Sequence, residues 1–245
     1  MRTIGLIGGM SWESSAEYYR LLNEETRERL GGHHCAPSLL LTVDFAEIEA
    51  MQRAGAWDAA GARLSQAAVT LEKAGADVVV LCTNTMHLVA DRIAAAIGVP
   101  FLHIVDATAA RITAAGLRTV GLLATRYTME HPFYRDLMRN HGIEVIVPDE
   151  PDRTLVHEVI YQELTRNRIE PASRVAYQKV MAGLAERGAQ ALILGCTEIT
   201  LLVDESDSPV PVFDSTRIHV EAAVDLALSE DPPAREYQPR RSVGG

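Results

Sequence analysis

The feature that most constrains the fold is that the chain repeats itself. Ile4-Gly5-Leu6-Ile7 returns as Val120-Gly121-Leu122-Leu123, with 116 residues between the two glycines. Gly75-Ala76-Asp77-Val78-Val79-Val80-Leu81-Cys82-Thr83 returns as Gly188-Ala189-Gln190-Ala191-Leu192-Ile193-Leu194-Gly195-Cys196-Thr197, with 114 residues between the cysteines. Pro100-Phe101-Leu102-His103-Ile104-Val105-Asp106 has a shorter counterpart in Pro211-Val212-Phe213-Asp214, 111 residues on. Any α/β chain yields similar strands, but three landmarks in one order and at matched spacing indicate a degenerate duplication.

Each half alternates short β-branched runs with longer amphipathic stretches. Thr3–Ile7, Leu39–Val43, Asp77–Leu81 and Phe101–Ile104 read as buried parallel strands, as do Thr119–Leu123, Glu144–Val147, Ala191–Leu194 and Val210–Phe213. Helical periodicity marks Ser15–Leu30, Trp57–Ala74, Met86–Ala96, Arg174–Arg187 and Ile218–Leu228. This alternation predicts an α/β protein of two pseudo-symmetric lobes. Each lobe is a short parallel sheet flanked by helices, and the site is expected in the cleft between them. Residues 1–105 are the first lobe and 106–214 the second, with a helix over about 215–228 packing back on the first. Residues 229–245 lack periodicity and read as a loose tail.

Composition narrows the function classes. The net charge of −10, without a basic stripe, would repel nucleic acid. No apolar run approaches the roughly 18 residues of a membrane span. The N-terminal apolar run breaks at Gly8-Gly9, so it reads as a strand and not as a signal segment, and a cytoplasmic location is expected. Three cysteines are too few for a disulfide scaffold, which leaves free thiols.

Two of these thiols stand at equivalent points. Cys82 and Cys196 each follow a buried strand, precede a helical stretch and are followed by threonine. Ligands of open α/β sheets bind beyond the carboxyl ends of the strands, so Cys82-Thr83-Asn84-Thr85 and Cys196-Thr197-Glu198 are expected at the cleft mouth. A helix beginning near Asn84 would present free N–H groups, hold a carboxylate and draw a thiol pKa down from about 8.5. Taken singly, a cysteine after an apolar strand is a small buried hydrophobe; the matched pair points to chemistry. Cys35 has no such partner. His33-His34-Cys35 lacks a second ligand group at a metal-binding spacing, so no metal is expected.

Here the motifs carry a resemblance. Gly8-Gly9-Met10-Ser11-Trp12-Glu13-Ser14, Cys82-Thr83-Asn84-Thr85-Met86-His87 and Gly195-Cys196-Thr197-Glu198-Ile199 resemble the aspartate/glutamate racemase family, most closely its broad-specificity amino-acid racemase branch. The resemblance extends from residue 1 to about residue 228. It implies an enzyme without a cofactor, proton removal by one cysteine and return by the other, and a homodimer acting on a small amino-acid substrate. It also implies that Met10 and its flanking backbone, together with Gln52, belong to the substrate pocket.

That chemistry suits the residue types. Inverting an α-carbon takes a base on one face and an acid on the other, which a thiolate and a thiol supply. Without an electron sink the carbanion relies on hydrogen bonds, for which Thr83, Asn84, Thr85 and Thr197 are donors. His87 either sits by Cys82 and favours its thiolate, or caps and packs. Glu198 either raises the Cys196 pKa or is a surface glutamate. By lobe symmetry Thr125 and Thr128 are pocket candidates or a plain loop.

The glycines of Gly5-Leu6-Ile7-Gly8-Gly9 fall as G-x-x-G-G, which argues against a dinucleotide even with Asp44 after the second strand. Aspartate-selective family members place an arginine near position 52 and a lysine after a Glu-Leu pair, whereas this chain has Gln52 and Glu163-Leu164-Thr165. The departure favours neutral or mixed side chains, unless Arg53, Arg126 or Arg166 restores the grip. The rival readings are a strict aspartate or glutamate racemase, a decarboxylase or maleate-type isomerase on the same scaffold, and a two-lobed small-molecule binding protein with structural cysteines.

Overall fold

The computed structural model describes residues 1–230, which divide into two compact units. The first comprises Met1–His103 and the chain from His219 onward; the second is Ile104–Ile218. The first unit runs β1 (Ile4–Gly8), α1 (Trp12–Leu30), β2 (Ser38–Thr42), α2 (Phe45–Arg53), α3 (Trp57–Lys73) and β3 (Val78–Leu81). A 3-10 turn at Thr85–Val89 then leads into α4 (Ala90–Ala95) and β4 (Phe101–Leu102).

The second unit opens on α5 (Ile104–Ala114), β5 (Thr119–Leu123), α6 (Arg126–Glu130), α7 (Pro132–Asn140), β6 (Glu144–Ile146) and α8 (Asp152–Gln162). A 3-10 turn (Leu164–Arg166), α9 (Pro171–Glu186), β7 (Ala191–Leu194), further 3-10 turns at Thr197–Leu201 and Glu205–Asp207, and β8 (Val212–Asp214) complete it. The last helix, α10 (Ser215–Leu228), begins in the second unit and ends in the first. The proposed tail from residue 231 on lies outside the described residues.

Both sheets are parallel, with orders β2-β1-β3-β4 and β6-β5-β7-β8. The duplication in sequence is therefore a duplication of topology. In each sheet the two central strands are covered on both faces, which is why they read as unbroken apolar runs. The side-chain period of two sorts them. On β1 and β3, Ile4, Leu6, Val78 and Val80 join Tyr18 and Leu22 of α1 and Val220 and Val224 of α10. Ile7, Val79 and Leu81 face the other way, onto Leu64, Ala68 and Leu71 of α3. Cys82 continues the first set, so its thiol points to the α1 and α10 side.

The repeated glycines have a packing reason. A Cβ on Gly5 would lie 2.8 Å from the Ala76 Cβ and 3.2 Å from the Leu71 Cβ. A Cβ on Gly121 would lie 2.5 Å from the Leu192 Cδ2 and 3.1 Å from the Leu184 Cδ1. In both units the helix before the third strand seats directly on the first strand at its glycine.

Two expectations need correction. Ile104 opens α5 and does not end β4: Ile104-Val105 is β-branched, yet the Ile104 carbonyl accepts the Thr108 Oγ1 hydrogen bond at 2.7 Å, one turn on. Val210 lies outside β8, where the Ser208 hydroxyl donates to its carbonyl at 2.6 Å in a local turn. Among the described residues no helix is long and apolar enough to cross a membrane.

Substitution at two glycines separates these roles. Gly121→Ala should destabilise by about 1–3 kcal/mol through overpacking. Gly183→Ala, inside α9 with nothing near its added Cβ, should stabilise by about 0.5–1 kcal/mol. Thermal or urea melts check both signs.

Candidate active site

In the first unit the candidate residues lie around the end of β3. The Cys82 N–H donates to the Ile7 carbonyl at 3.0 Å, extending the β1–β3 pairing by one bond. The Cys82 carbonyl accepts from the Ser14 hydroxyl of α1 at 3.0 Å. Thr83, Asn84 and Thr85 follow, the last two buried. The expected α-helix start near Asn84 is instead a 3-10 turn, Thr85–Val89, in which the His87 N–H donates to the Asn84 carbonyl at 3.1 Å. Such a turn aligns fewer peptide dipoles than an α-helix terminus. The Cys82 thiol is fully buried among apolar side chains, and that desolvation pushes its pKa up. The expected drop toward neutrality does not occur.

Met10 and Gln52 meet the same segment. Met10, in the loop after β1, is buried in the cluster that holds Val43, Ile48 and Met86. Gln52 on α2 is buried, and its Nε2 donates to the Met86 Sδ at 3.0 Å. Its Oε1 is buried without a hydrogen-bond partner. Gly9 explains the path of the loop: at φ +95° an added Cβ would stand 2.0 Å from the Val43 carbonyl oxygen. Gly8 is equally confined, 2.5 Å from the Ser15 Oγ. Asp44 is the N-cap of α2, accepting the Ala46 N–H at 3.0 Å.

His87 does not act as a charge beside Cys82. Its Nδ1 lies 2.7 Å from the Thr83 carbonyl, and its ring packs on Phe101, His103 and His219. Desolvation first, then the neighbouring His103 and His219, hold its pKa well below the usual histidine range. The ring is neutral, so the packing alternative is the one realised.

In the second unit the candidate residues lie around the end of β7. The Gly195 N–H donates to the Leu123 carbonyl at 2.7 Å, the counterpart of the Cys82 bond. The half-buried Cys196 thiol donates to the Glu198 Oε2 at 2.9 Å. Burial chiefly, and the Glu198 charge after it, push the Cys196 pKa well up. Glu198 and Thr197 are buried on the 3-10 turn that follows, so Glu198 is not a surface glutamate. Thr125 and Thr128 are buried with hydroxyls 3.3 Å apart at the start of α6.

Thr165 donates to the Tyr161 carbonyl at 2.9 Å from the Leu164–Arg166 turn, which packs on the Thr197–Leu201 turn. The position after Glu163-Leu164 thus adjoins the Cys196 segment. Of the other arginines, Arg53 pairs with Glu49 and is largely exposed, the partly exposed Arg126 lies 3.8 Å from Glu130, and Arg166 is exposed. Among the described residues no cluster of three or more His, Cys, Asp or Glu side chains is placed to hold a metal. Sequence reasoning passed over Ser14, Tyr18, His103 and His219, which support the Cys82 segment from distant parts of the chain.

Residues 7–223 match the model of the Asp/Glu/Hydantoin racemase family. The chain belongs to that family. It is 28% identical over 162 residues to the broad specificity amino-acid racemase RacX of Bacillus subtilis, covering 66% of this chain and 70% of that protein. Among solved structures, a candidate Asp/Glu racemase from Yersinia pestis is 54% identical with a TM-score of 0.88, covering 94% of this chain and 100% of that one. PH1733, an aspartate racemase homologue from Pyrococcus horikoshii OT3, is 32% identical with a TM-score of 0.83, over the same shares. Family membership makes the protein an enzyme of the isomerase class.

Glu198→Gln removes the charge beside Cys196 and keeps a hydrogen-bonding side chain. The Cys196 pKa should fall, and its alkylation by iodoacetamide near pH 8 should speed up several-fold, read peptide by peptide by mass spectrometry. Unchanged or slower alkylation would show that the carboxylate does not hold the proton on this thiol.

Proposed function

We propose that the protein is a cofactor-independent racemase of free amino acids, with Cys82 and Cys196 as its paired base and acid. The observation that carries this reading is the placement of the two cysteines. Cys82 stands one residue beyond the end of β3 and Cys196 two residues beyond the end of β7, each after the third strand of its sheet, in two sheets of identical order. In one direction a thiolate takes the α-hydrogen as a proton, so that a C–H bond breaks and an S–H bond forms. The opposite thiol then gives its proton to the other face of the carbanion, and the second sulfur is left as the thiolate. The reverse direction exchanges the roles.

Burial of both thiols suits the task. An α-hydrogen is a weak acid, and a sulfur whose pKa is raised makes a stronger base once ionised. Thr83, Asn84 and Thr85 on one side, and Thr197 on the other, supply polar groups for the substrate carboxylate as negative charge develops on it. Glu198, bonded to the Cys196 thiol, keeps that residue in its acid form between turnovers.

The substrate is read from Gln52 and Thr165. Both are neutral, and the unpartnered Oε1 of Gln52 is an acceptor for an N–H or O–H donor, not a grip on a carboxylate. This favours neutral or mixed side chains, in keeping with the name of the Bacillus subtilis relative. A cytoplasmic homodimer without nucleic-acid or membrane partners belongs to the same proposal.

Incubation with single L- and D-amino acids in deuterated water tests it. Neutral amino acids should racemise with α-deuterium uptake, faster than aspartate or glutamate, and added pyridoxal phosphate should change nothing. If no amino acid exchanges its α-hydrogen the racemase reading fails; if aspartate or glutamate alone does, the reading of Gln52 and Thr165 fails.

A further inference from the structure

Outside the proposed substrate contacts, the described residues hold one dense group of buried titratable side chains: His87, His103, His219 and Tyr18. The ring of His87 lies 4.6 Å from that of His103 and 5.6 Å from that of His219. All four residues are at most 2% exposed. The hydrogen bonds fix the protons. The Leu102 carbonyl lies 3.1 Å from the His219 Nε2, and a carbonyl only accepts, so Nε2 carries the hydrogen. The His219 Nδ1, 2.9 Å from the Tyr18 hydroxyl, is then the acceptor of the phenol proton. The His87 ring is bonded by the Thr83 carbonyl, 2.7 Å from Nδ1, and by the Leu102 backbone as well; the short Thr83 contact favours the hydrogen on Nδ1. Tyr18 of α1, His219 of α10 and Leu102 of β4 therefore form one directed chain, and the rings of His219 and His103 back the ring of His87.

We infer that His87 is a positioning residue for Cys82, acting through the neutral Nδ1–H that it donates to the Thr83 carbonyl. The peptide after Cys82 is held from two sides. Ser14 of α1 binds the Cys82 carbonyl, and His87 binds the next carbonyl. With the Cys82 N–H on Ile7, the N–H and carbonyl of Cys82 and the carbonyl of Thr83 are fixed, each by a different element. The Cys82 side chain has one torsion between Cα and the sulfur, so fixing its backbone leaves the thiol little freedom. Burial first, and the neighbouring His103 and His219 after it, disfavour a protonated His87. The aromatic wall of His103, Phe101 and His219 keeps the ring neutral and its donor aimed at Thr83. Beside Cys196 the carbonyl of the following threonine, Thr197, accepts from the Thr200 hydroxyl at 2.8 Å in place of a histidine, and the thiol itself bonds the Glu198 carboxylate.

This inference rests on the racemase reading, and its test separates the two. His87→Asn keeps an N–H near the position of Nδ1, while His87→Leu keeps volume and loses the donor. His87→Leu should lower kcat about ten- to a hundredfold with KM within about twofold of wild type. His87→Asn should keep most of kcat, although both variants lose thermal stability. Ser14→Ala, which leaves the histidine cluster intact, should also lower kcat at constant KM, and it stands as the test if His87→Leu does not fold. Nitrogen-15 spectra of the wild-type protein should show His87 neutral with its hydrogen on Nδ1 near pH 7. Equal loss in the Leu and Asn variants, an active His87→Leu, or the Nε2–H tautomer each overturns the positioning role. A wild-type protein that exchanges no amino acid, yet shows the Nδ1–H tautomer, overturns the racemase reading and leaves the clamp as structure.

Discussion

One backbone hydrogen bond past the end of each third strand fixes the start of each candidate segment. The Cys82 N–H on the Ile7 carbonyl and the Gly195 N–H on the Leu123 carbonyl carry the parallel pairing just beyond β3 and β7. Just after it the chain leaves the sheet and enters a 3-10 turn, Thr85–Val89 in the first unit and Thr197–Leu201 in the second. That bond requires the first strand of each sheet to run beside the third with a helix pressed close on its face. Gly5 and Gly121 make that closeness possible by offering no Cβ to the helix. The repeated glycines and the repeated cysteines are thus two ends of one geometric requirement.

The two units diverge where the thiols meet their surroundings. Both sulfurs lie in surroundings that disfavour a thiolate, and neither is drawn toward neutrality by a helix terminus. Two residues on, the first unit has Asn84 and the second Glu198. The carboxylate gives Cys196 a direct acceptor for its proton, while Cys82 is held through its backbone by Ser14 and His87. A duplicated scaffold has become a pair of unlike groups, one governed by charge and one by position. The proposed racemase cycle needs opposite protonation states on the two faces, so one of these thiols has to give up its proton before turnover.

The parts legible in the sequence were those with short-range causes. Val78-Val79-Val80-Leu81 reads as a buried strand because both its faces are covered, and its echo at Ala191–Leu194 gives the second sheet the same order. The effect of Glu198 on Cys196 was legible because the two are neighbours along the chain. His87 was not. Its neutrality depends on His103 and His219, brought to it by β4 and α10, and no local pattern announces that meeting. The helical beginning of α5 was hidden by β-branched Ile104-Val105, where position in the fold outweighed propensity. The helices α6, α7 and α8 escaped for a related reason. Their apolar residues cover too few turns to establish a period, and packing in the second unit holds them.

The central claim, that two unlike thiols serve opposite faces of one carbon, is met most directly by single serine substitutions followed by proton NMR in deuterated water. Cys82→Ser and Cys196→Ser should each lose racemisation yet retain α-hydrogen exchange on one enantiomer, and on opposite enantiomers. A single variant that still racemises at the wild-type rate, or two variants that exchange the same enantiomer, would contradict it.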